Sequence, residues 1–182
     1  MQKAEVMWVF ALMMLSSVLV FEVDGTRAAG LMPETSIEER GAPRAVTLIY
    51  NVYDLQNMSK DLNGNYALAN DINASETSSW NGGKGFAPVG SEDSSFNGTL
   101  DGNGYGIFNL YIDRSNEDNI GLFGYTDSRA RICELNLLIN KVRGNIATAG
   151  LSGYSKGTIS NCTSAGPVIG CSYTGGLVGI GD

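Results

Sequence analysis

The stretch GLFGY at 121–125 returns as GLSGY at 150–154 and, shortened, as GGLVG at 175–179. Each copy brackets an apolar or small pair with glycine: Leu122-Phe123, Leu151-Ser152 and Leu177-Val178. A second pattern runs beside the first. Ile107-x-x-Leu110-x-Ile112 recurs as Ile132-x-x-Leu135-x-Leu137 and, weaker, as Ile159-x-x-Cys162-x-Ser164, at spacings of 25 and 27 residues. The residue before the central position is polar each time: Asn109, Glu134 and Asn161. Such alternation predicts a short strand with one buried face. Leu135, Leu137 and Ile139 then point to one side, and Glu134, Asn136 and Asn140 to the other.

A strand-and-turn unit of this length cannot bury its apolar face alone, but stacking it on a copy of itself can. A helical solenoid does not fit, because glycine recurs every few residues and costs about 1 kcal/mol each time inside a helix. A propeller blade needs roughly 40 residues. The expected fold is therefore all-β: a right-handed parallel β-helix of about three to four coils, with strands about 4.8 Å apart between coils. Gly121, Gly124, Gly150, Gly153, Gly176 and Gly179 are expected at corners between faces, where positive φ favours glycine, with the neighbouring leucine turned into the core.

The glycine motifs resemble the GLUG repeat of secreted and surface proteins, and the upstream half resembles the segment that often precedes it. The residues that carry this are Asp54-Leu55, LNGNYALANDIN (62–73), Trp80, FAPVG (86–90) and FNGTLDGNGYGIFNLYI (96–112). The likeness covers 48–182. It implies one strand from Asn65 to Ile72 and a further rung from the FxGxxDGxGxxIxNLxI stretch. The chain departs from the family at Tyr105, where histidine is common. Modules of this family occur in adhesins and beside catalytic domains such as immunoglobulin-cleaving metallopeptidases, so the resemblance speaks to fold more than to role.

Composition narrows the role. The net charge is −7 and the twelve basic residues are scattered, which argues against nucleic acid. There is no histidine, which removes the commonest general base and metal ligand. Twenty-four glycines against four prolines, with 17% charged and 43% hydrophobic residues, suit a folded, turn-rich protein. At the N-terminus, Lys3 precedes an apolar run of 16 residues from Val6 to Phe21, and Val23-Asp24-Gly25 offers a cleavage site before Thr26. Residues 1–25 read as a signal peptide, with an uncleaved anchor as the alternative. Residues 26–47 read as a linker, 48–112 as N-terminal β-helix coils and 113–182 as GLUG-type coils, the last incomplete.

Motifs that look like chemistry have simpler readings. Asp61-x-Asn63-x-Asn65 opens like a calcium-binding loop, but Tyr66 and Ile72 stand where glycine and glutamate are needed. Asp101-x-Asn103 fails likewise, and both are read as turns. Gly102-x-Gly104 lacks the third glycine of a dinucleotide loop. Glu92-Asp93 and Glu117-Asp118 are adjacent pairs whose side chains face apart, and are read as solvated loop charge. Among Cys133, Cys162 and Cys171, Cys162 holds the repeat position of Leu135 and reads as a buried thiol; a Cys162–Cys171 bridge is the alternative. Sequons stand at Asn57, Asn73, Asn97 and Asn161. Trp80, Tyr105, Tyr111 and Tyr125 are candidates for a sugar-stacking platform or for packing.

No residue is assigned a catalytic, cofactor-binding or metal-binding role. The expected protein is a secreted or cell-surface, non-catalytic, adhesin-like repeat module with a cell-surface or glycan ligand. The alternative is a substrate-binding or accessory fragment of a larger secreted polysaccharide- or protein-degrading enzyme. No capping helix follows the third glycine motif, so the β-helix is expected to be uncapped at its C-terminus and to self-associate through that open end. The chain is then either a truncated product or the N-terminal piece of a longer surface protein.

Overall fold

The computed structural model describes residues 44–182. The expected signal peptide and nearly all of the expected linker lie outside the described residues. The linker's last two residues belong instead to β1 (Val46–Ile49). Arg44 is tied down as well, pairing with Asp61 at 2.6 Å and donating to the Asn63 carbonyl at 2.7 Å.

After β1 comes a short helix, α1 (Val52–Asn57), capped by the Asn51 side chain, which accepts from the Tyr53 and Asp54 amides. At six residues it is too short to leave a helical period in the sequence. There follow β2 (Asn65–Leu68), β3 (Ile72–Asn73), a 3-10 segment over Ser75–Gly83, β4 (Thr99–Asp101) and β5 (Gly106–Asp113). The remainder is β6 (Phe123–Thr126), β7 (Arg131–Cys133), β8 (Asn136–Arg143), β9 (Ile146–Ala149) and β10 (Ser152–Ser155), then β11 (Thr158–Ser160), β12 (Thr163–Ala165), β13 (Val168–Ile169), β14 (Ser172–Gly175) and β15 (Val178–Gly181). The protein is thus all-β with little helix.

The strands form parallel sheets. One runs β1-β2-β4-β7-β11, a second β3-β5-β8-β12 with β13 also on β8, a third β6-β10-β15, and β9 pairs β14. From β2 to β12 consecutive strands of the chain fall in different sheets, and neighbours within a sheet come from successive repeats. Buried side chains therefore stack in columns. Tyr66, Leu100, Ile132 and Ile159 align through the first sheet. Ile72, Ile107, Leu137 and Ser164 align through the second. The largest pair in the core, Phe96 and Phe123, is fully buried with ring centroids 4.7 Å apart. Burying each such ring contributes on the order of 1.5–3 kcal/mol.

The glycine motif stacks as its recurrence predicts. Phe123, Ser152 and Val178 are in register, and so are Tyr125, Tyr154 and Ile180. Leu122 and Leu151 are buried, and Leu177 is half-buried against the core. The alternation in β8 is also as expected, with Leu135, Leu137 and Ile139 buried and Glu134, Asn136 and Asn140 exposed.

Three expectations need correcting. First, the isoleucine pattern holds from Ile132 to Ile159, which are in register, but not from Ile107 to Ile132. Ile132 stacks on Leu100 rather than on Ile107, and Ile107 stacks on Leu137. The corner Gly102–Tyr105 is longer than its counterpart at Glu134-Leu135, and β5 bulges at Asn109, where the register shifts. Second, the strand expected from Asn65 to Ile72 breaks in two, because residues 69–71 turn the chain from the first sheet into the second.

Third, none of the six motif glycines has positive φ; left-handed backbone falls instead on Asn109, Asn119, Glu134, Ala147, Asn161 and Tyr173. The motif glycines are needed for space. A Cβ on Gly124 would strike the Gly90 carbonyl, and one on Gly153 the Asn119 backbone, whereas one on Gly176 would meet nothing within 4 Å. Gly124→Ala is therefore expected to cost about 1–3 kcal/mol, as overpacking against rigid backbone does. Gly176→Ala should stay within about 0.5 kcal/mol of the parent. Denaturant midpoints of the two variants check this; equal losses would show that the glycines act through φ or through the unfolded state.

Candidate functional site: an aromatic groove beside Ser75–Gly83

Between β3 and β4, over Ser75–Gly83, the chain leaves the sheets, and this excursion lines an open cleft. Its first half is anchored from below. Thr77, fully buried, donates through Oγ1 to the Ala74 carbonyl at 2.6 Å and accepts there from the Tyr111 amide of β5 at 3.1 Å. After Trp80 the backbone is left-handed at Asn81, Gly82 and Gly83, and again at Gly85. Gly85 cannot carry a side chain here, because a Cβ would run into the Tyr111 carbonyl. The Asn81 amide closes the turn onto the Gly85 carbonyl at 2.7 Å, and the Phe86 amide returns the chain to the Tyr111 carbonyl at 2.9 Å.

This turn presents Trp80 between two other rings. Its inner side stacks toward buried Phe86, with centroids 6.5 Å apart at 24°. Its outer neighbour is Tyr53 of α1, at 5.1 Å and 35°. The Tyr53 hydroxyl donates to Glu76 at 2.6 Å; that bond, with some burial and the carboxylate's charge, raises its pKa. The far wall is held by Gln56, whose amide clasps Ala87 by donating to its carbonyl and accepting from its N–H, both at 2.9 Å. The open cleft among Tyr53, Trp80, Asn57, Ser59 and Asn81 has a volume of about 630 Å³. Small-molecule sites run to roughly 300–1,000 Å³. Among the described residues, neither the Trp80 indole N–H nor the Asn57 side chain has a protein hydrogen-bond partner.

The other candidate aromatics lie apart from this groove. Tyr105 projects from the Asn103-Gly104 turn, 39% exposed. Tyr111 lies under the Lys141 ammonium, 5.6 Å away. Tyr125 stacks on Tyr154 at 4.5 Å and 4°, and Lys156 caps both rings. The four are not one platform. Trp80 is joined by Tyr53, which the sequence reading did not single out. The Asn51 cap with Asp54 in the first helical turn is the signal that would have placed it.

Glu92 and Asp93 are exposed, as expected of solvated loop charge, but the other candidate carboxylates have structural partners. Asp61 Oδ1 accepts from the Asn63 amide at 3.2 Å, and Asp101 Oδ1 from the Asn103 amide at 2.8 Å, so both motifs are turns. Glu117 is not simply solvated charge. It bridges Arg114 at 2.8 Å and Lys84 at 3.0 Å, while adjacent Asp118 points elsewhere, to the Asn145 side chain and the Ile146 amide. Burial pushes the Glu117 pKa up, but the bonds from Arg114 and Lys84 hold it below the usual range. Asp113 pairs with Lys141 at 2.6 Å, and that bond, against some desolvation, lowers its pKa too. All three cysteines are free, so the Cys162–Cys171 bridge is not formed. Cys162 is half-buried at the place of Leu135, and burial raises its thiol pKa. Of the sequon asparagines, Asn57, Asn73 and Asn161 are exposed and Asn97 is half-buried.

No family model matches the chain, and no solved structure does. Halomucin from Haloquadratum walsbyi is 39% identical over 162 residues, which takes in 85% of this chain. A putative Gly-rich membrane protein from Evansella cellulosilytica is 36% identical over 83 residues, 44% of this chain. The matched part is 2% of the length of the first relative and 10% of the second.

Asp113 and Glu117 generate a pH prediction. Each has a folded pKa below its unfolded one, so its stabilisation is complete above the ordinary carboxylate range and is lost as pH falls through the folded value. Thermal midpoints should be flat from about pH 7 to 5 and drop below about pH 4. Asp113→Asn should lower the midpoint at neutral pH and shrink the acid drop. An unchanged acid drop in that variant would place the titrating group elsewhere.

Proposed function

We propose that this chain is a non-catalytic, exported surface module: a right-handed parallel β-helix of GLUG-type coils acting as a spacer or adhesion unit. The observation that carries this is the in-register stacking of the repeated glycine motif, Phe123 on Ser152 on Val178. A fold that extends by adding like units suits length and surface rather than one buried catalytic centre. The names of the two relatives, a mucin and a membrane protein, support placement at the cell surface. The similarity takes up a small part of each, which fits a repeated building block. Glu117 and Asp118, which line a second cleft with Glu92, are engaged by Lys84, Arg114 and Asn145, which also favours a role without catalysis.

One observation favours a second reading. The Tyr53–Trp80 groove would also serve an accessory, substrate-binding piece of a secreted polysaccharide-degrading enzyme. Surface labelling of intact cells separates the surface module from an intracellular protein, and the mass of the labelled species separates the two readings. An antibody against residues 44–182 should label unpermeabilised cells or the surrounding medium, on a species without hydrolytic activity. Label only after permeabilisation would overturn the surface reading. Label on a species carrying a catalytic domain would favour the second.

A further inference from the structure

We propose that the Tyr53–Trp80 groove is a binding site for a neutral hexopyranose chain. The inference deepens the surface-module reading, on which it rests for where the ligand is met. A pyranose ring has an apolar C–H face and a rim of hydroxyls, so its complement is a flat aromatic surface edged by polar groups that both donate and accept.

The groove supplies both parts. Trp80 is positioned by the left-handed run that follows it and backed by buried Phe86, so its ring is fixed before any ligand arrives. Tyr53, 55% exposed, adds a second ring tilted by 35°, which makes a corner rather than a flat wall. Around this corner stand the Trp80 indole N–H and the Asn57 side chain, with no protein partner among the described residues. The Asn81 side-chain Oδ1 is equally uncommitted among the described residues, where that side chain bonds through its N–H alone.

Charge selects the ligand class. Among the described residues no group lining the groove is ionised, and the carboxylate beside it, Glu76, is occupied by the Tyr53 hydroxyl. A chain with net charge −7 disfavours an anionic ligand near such a rim; a compact cation could lie over the rings but would leave the Trp80 indole N–H and the Asn57 amide unused, whereas hydroxyls would engage them. The stacked Tyr125–Tyr154 pair is not an equivalent site: those rings cover each other at 4.5 Å and Lys156 lies over both. The excursion that carries Trp80, Ser75–Gly83, contributes no strand to any sheet. Binding residues collect on such loops when a rigid scaffold holds them.

The test is calorimetric titration of the chain, as recovered from its host cells, with cellohexaose, laminarihexaose and mannohexaose, and with polygalacturonate as the acidic comparison. Saturable binding of at least one neutral hexasaccharide is expected. Tyr53→Ala should weaken it about tenfold, the scale of one lost aromatic contact. Trp80→Ala should abolish it, and Trp80→Phe should retain part. Tyr125→Ala should leave it unchanged. Because Tyr53 is exposed, Tyr53→Ala keeps the proposal testable even if Trp80→Ala does not fold; unaltered thermal midpoints confirm that. No binding of any neutral oligosaccharide, binding of polygalacturonate alone, or full binding by Tyr53→Ala would overturn the assignment. Lost binding in a protein that still labels at the cell surface removes the groove alone. Binding by a protein found only inside cells removes the surface reading and leaves the groove.

Discussion

The parallel hydrogen-bond ladder that joins like strands of successive repeats is the constraint on which the rest depends. It runs through β1, β2, β4, β7 and β11 without a change of register. Side chains along a strand alternate faces, so a slip of one residue would turn a whole buried set outward. The column Tyr66, Leu100, Ile132 and Ile159 shows what keeps the register in place. Each member lies over the last, and none could be buried by its own repeat. Hydrogen bonding and burial therefore specify the same alignment, which is the agreement between levels that makes one fold dominate.

Polar side chains reinforce that alignment from outside. Asn97 donates to Asn63 at 3.0 Å, Thr99 to Asn65 at 3.1 Å, Asn109 to Asn73 at 3.1 Å and Thr163 to Asn136 at 2.9 Å. Each bond links equivalent places in adjacent repeats. Asn109 among them also sits at a bulge with left-handed backbone, and Asn81, Asn103, Asn119 and Asn161 adopt it elsewhere, as a short polar side chain tolerates. One residue type thus serves turn and ladder, which accounts for the asparagine content of the described residues.

Much of this was legible in the sequence, and the failures have a common cause. The glycine motif and the β8 alternation were read correctly because both are local: a repeated pentapeptide, and a strand with one wet face. The pairing of Ile132 with Leu100 was not legible. It depends on how many residues the corner at Gly102–Tyr105 consumes, and that is fixed by a neighbouring repeat rather than by local pattern. The role of the motif glycines was misjudged for the same reason. Their neighbours are the Gly90 and Asn119 backbones, distant in sequence. Of the groove, Trp80 was visible as an aromatic candidate, whereas Tyr53 becomes its partner only because β1 and α1 fold back beside the excursion.

The core itself changes along the stack, and this bears on where a rigid site can be built. Phe123 gives way to Ser152 in the third sheet, and Leu137 to Ser164 in the second. Ser152 is fully buried, and the Ser164 and Thr148 hydroxyl oxygens are buried without a partner among the described residues. An unpaired buried hydroxyl costs on the order of 1–3 kcal/mol, and each lost apolar side chain removes a comparable amount of burial. The later repeats are therefore held more by their ladders than by their core. The earlier ones carry Phe86, Phe96 and Phe123, all fully buried. Trp80 leans on the first of these, so the groove stands on the most heavily packed part of the described chain. Preorganising an aromatic face requires a support that does not yield, and among the repeats described it is the early ones that provide it.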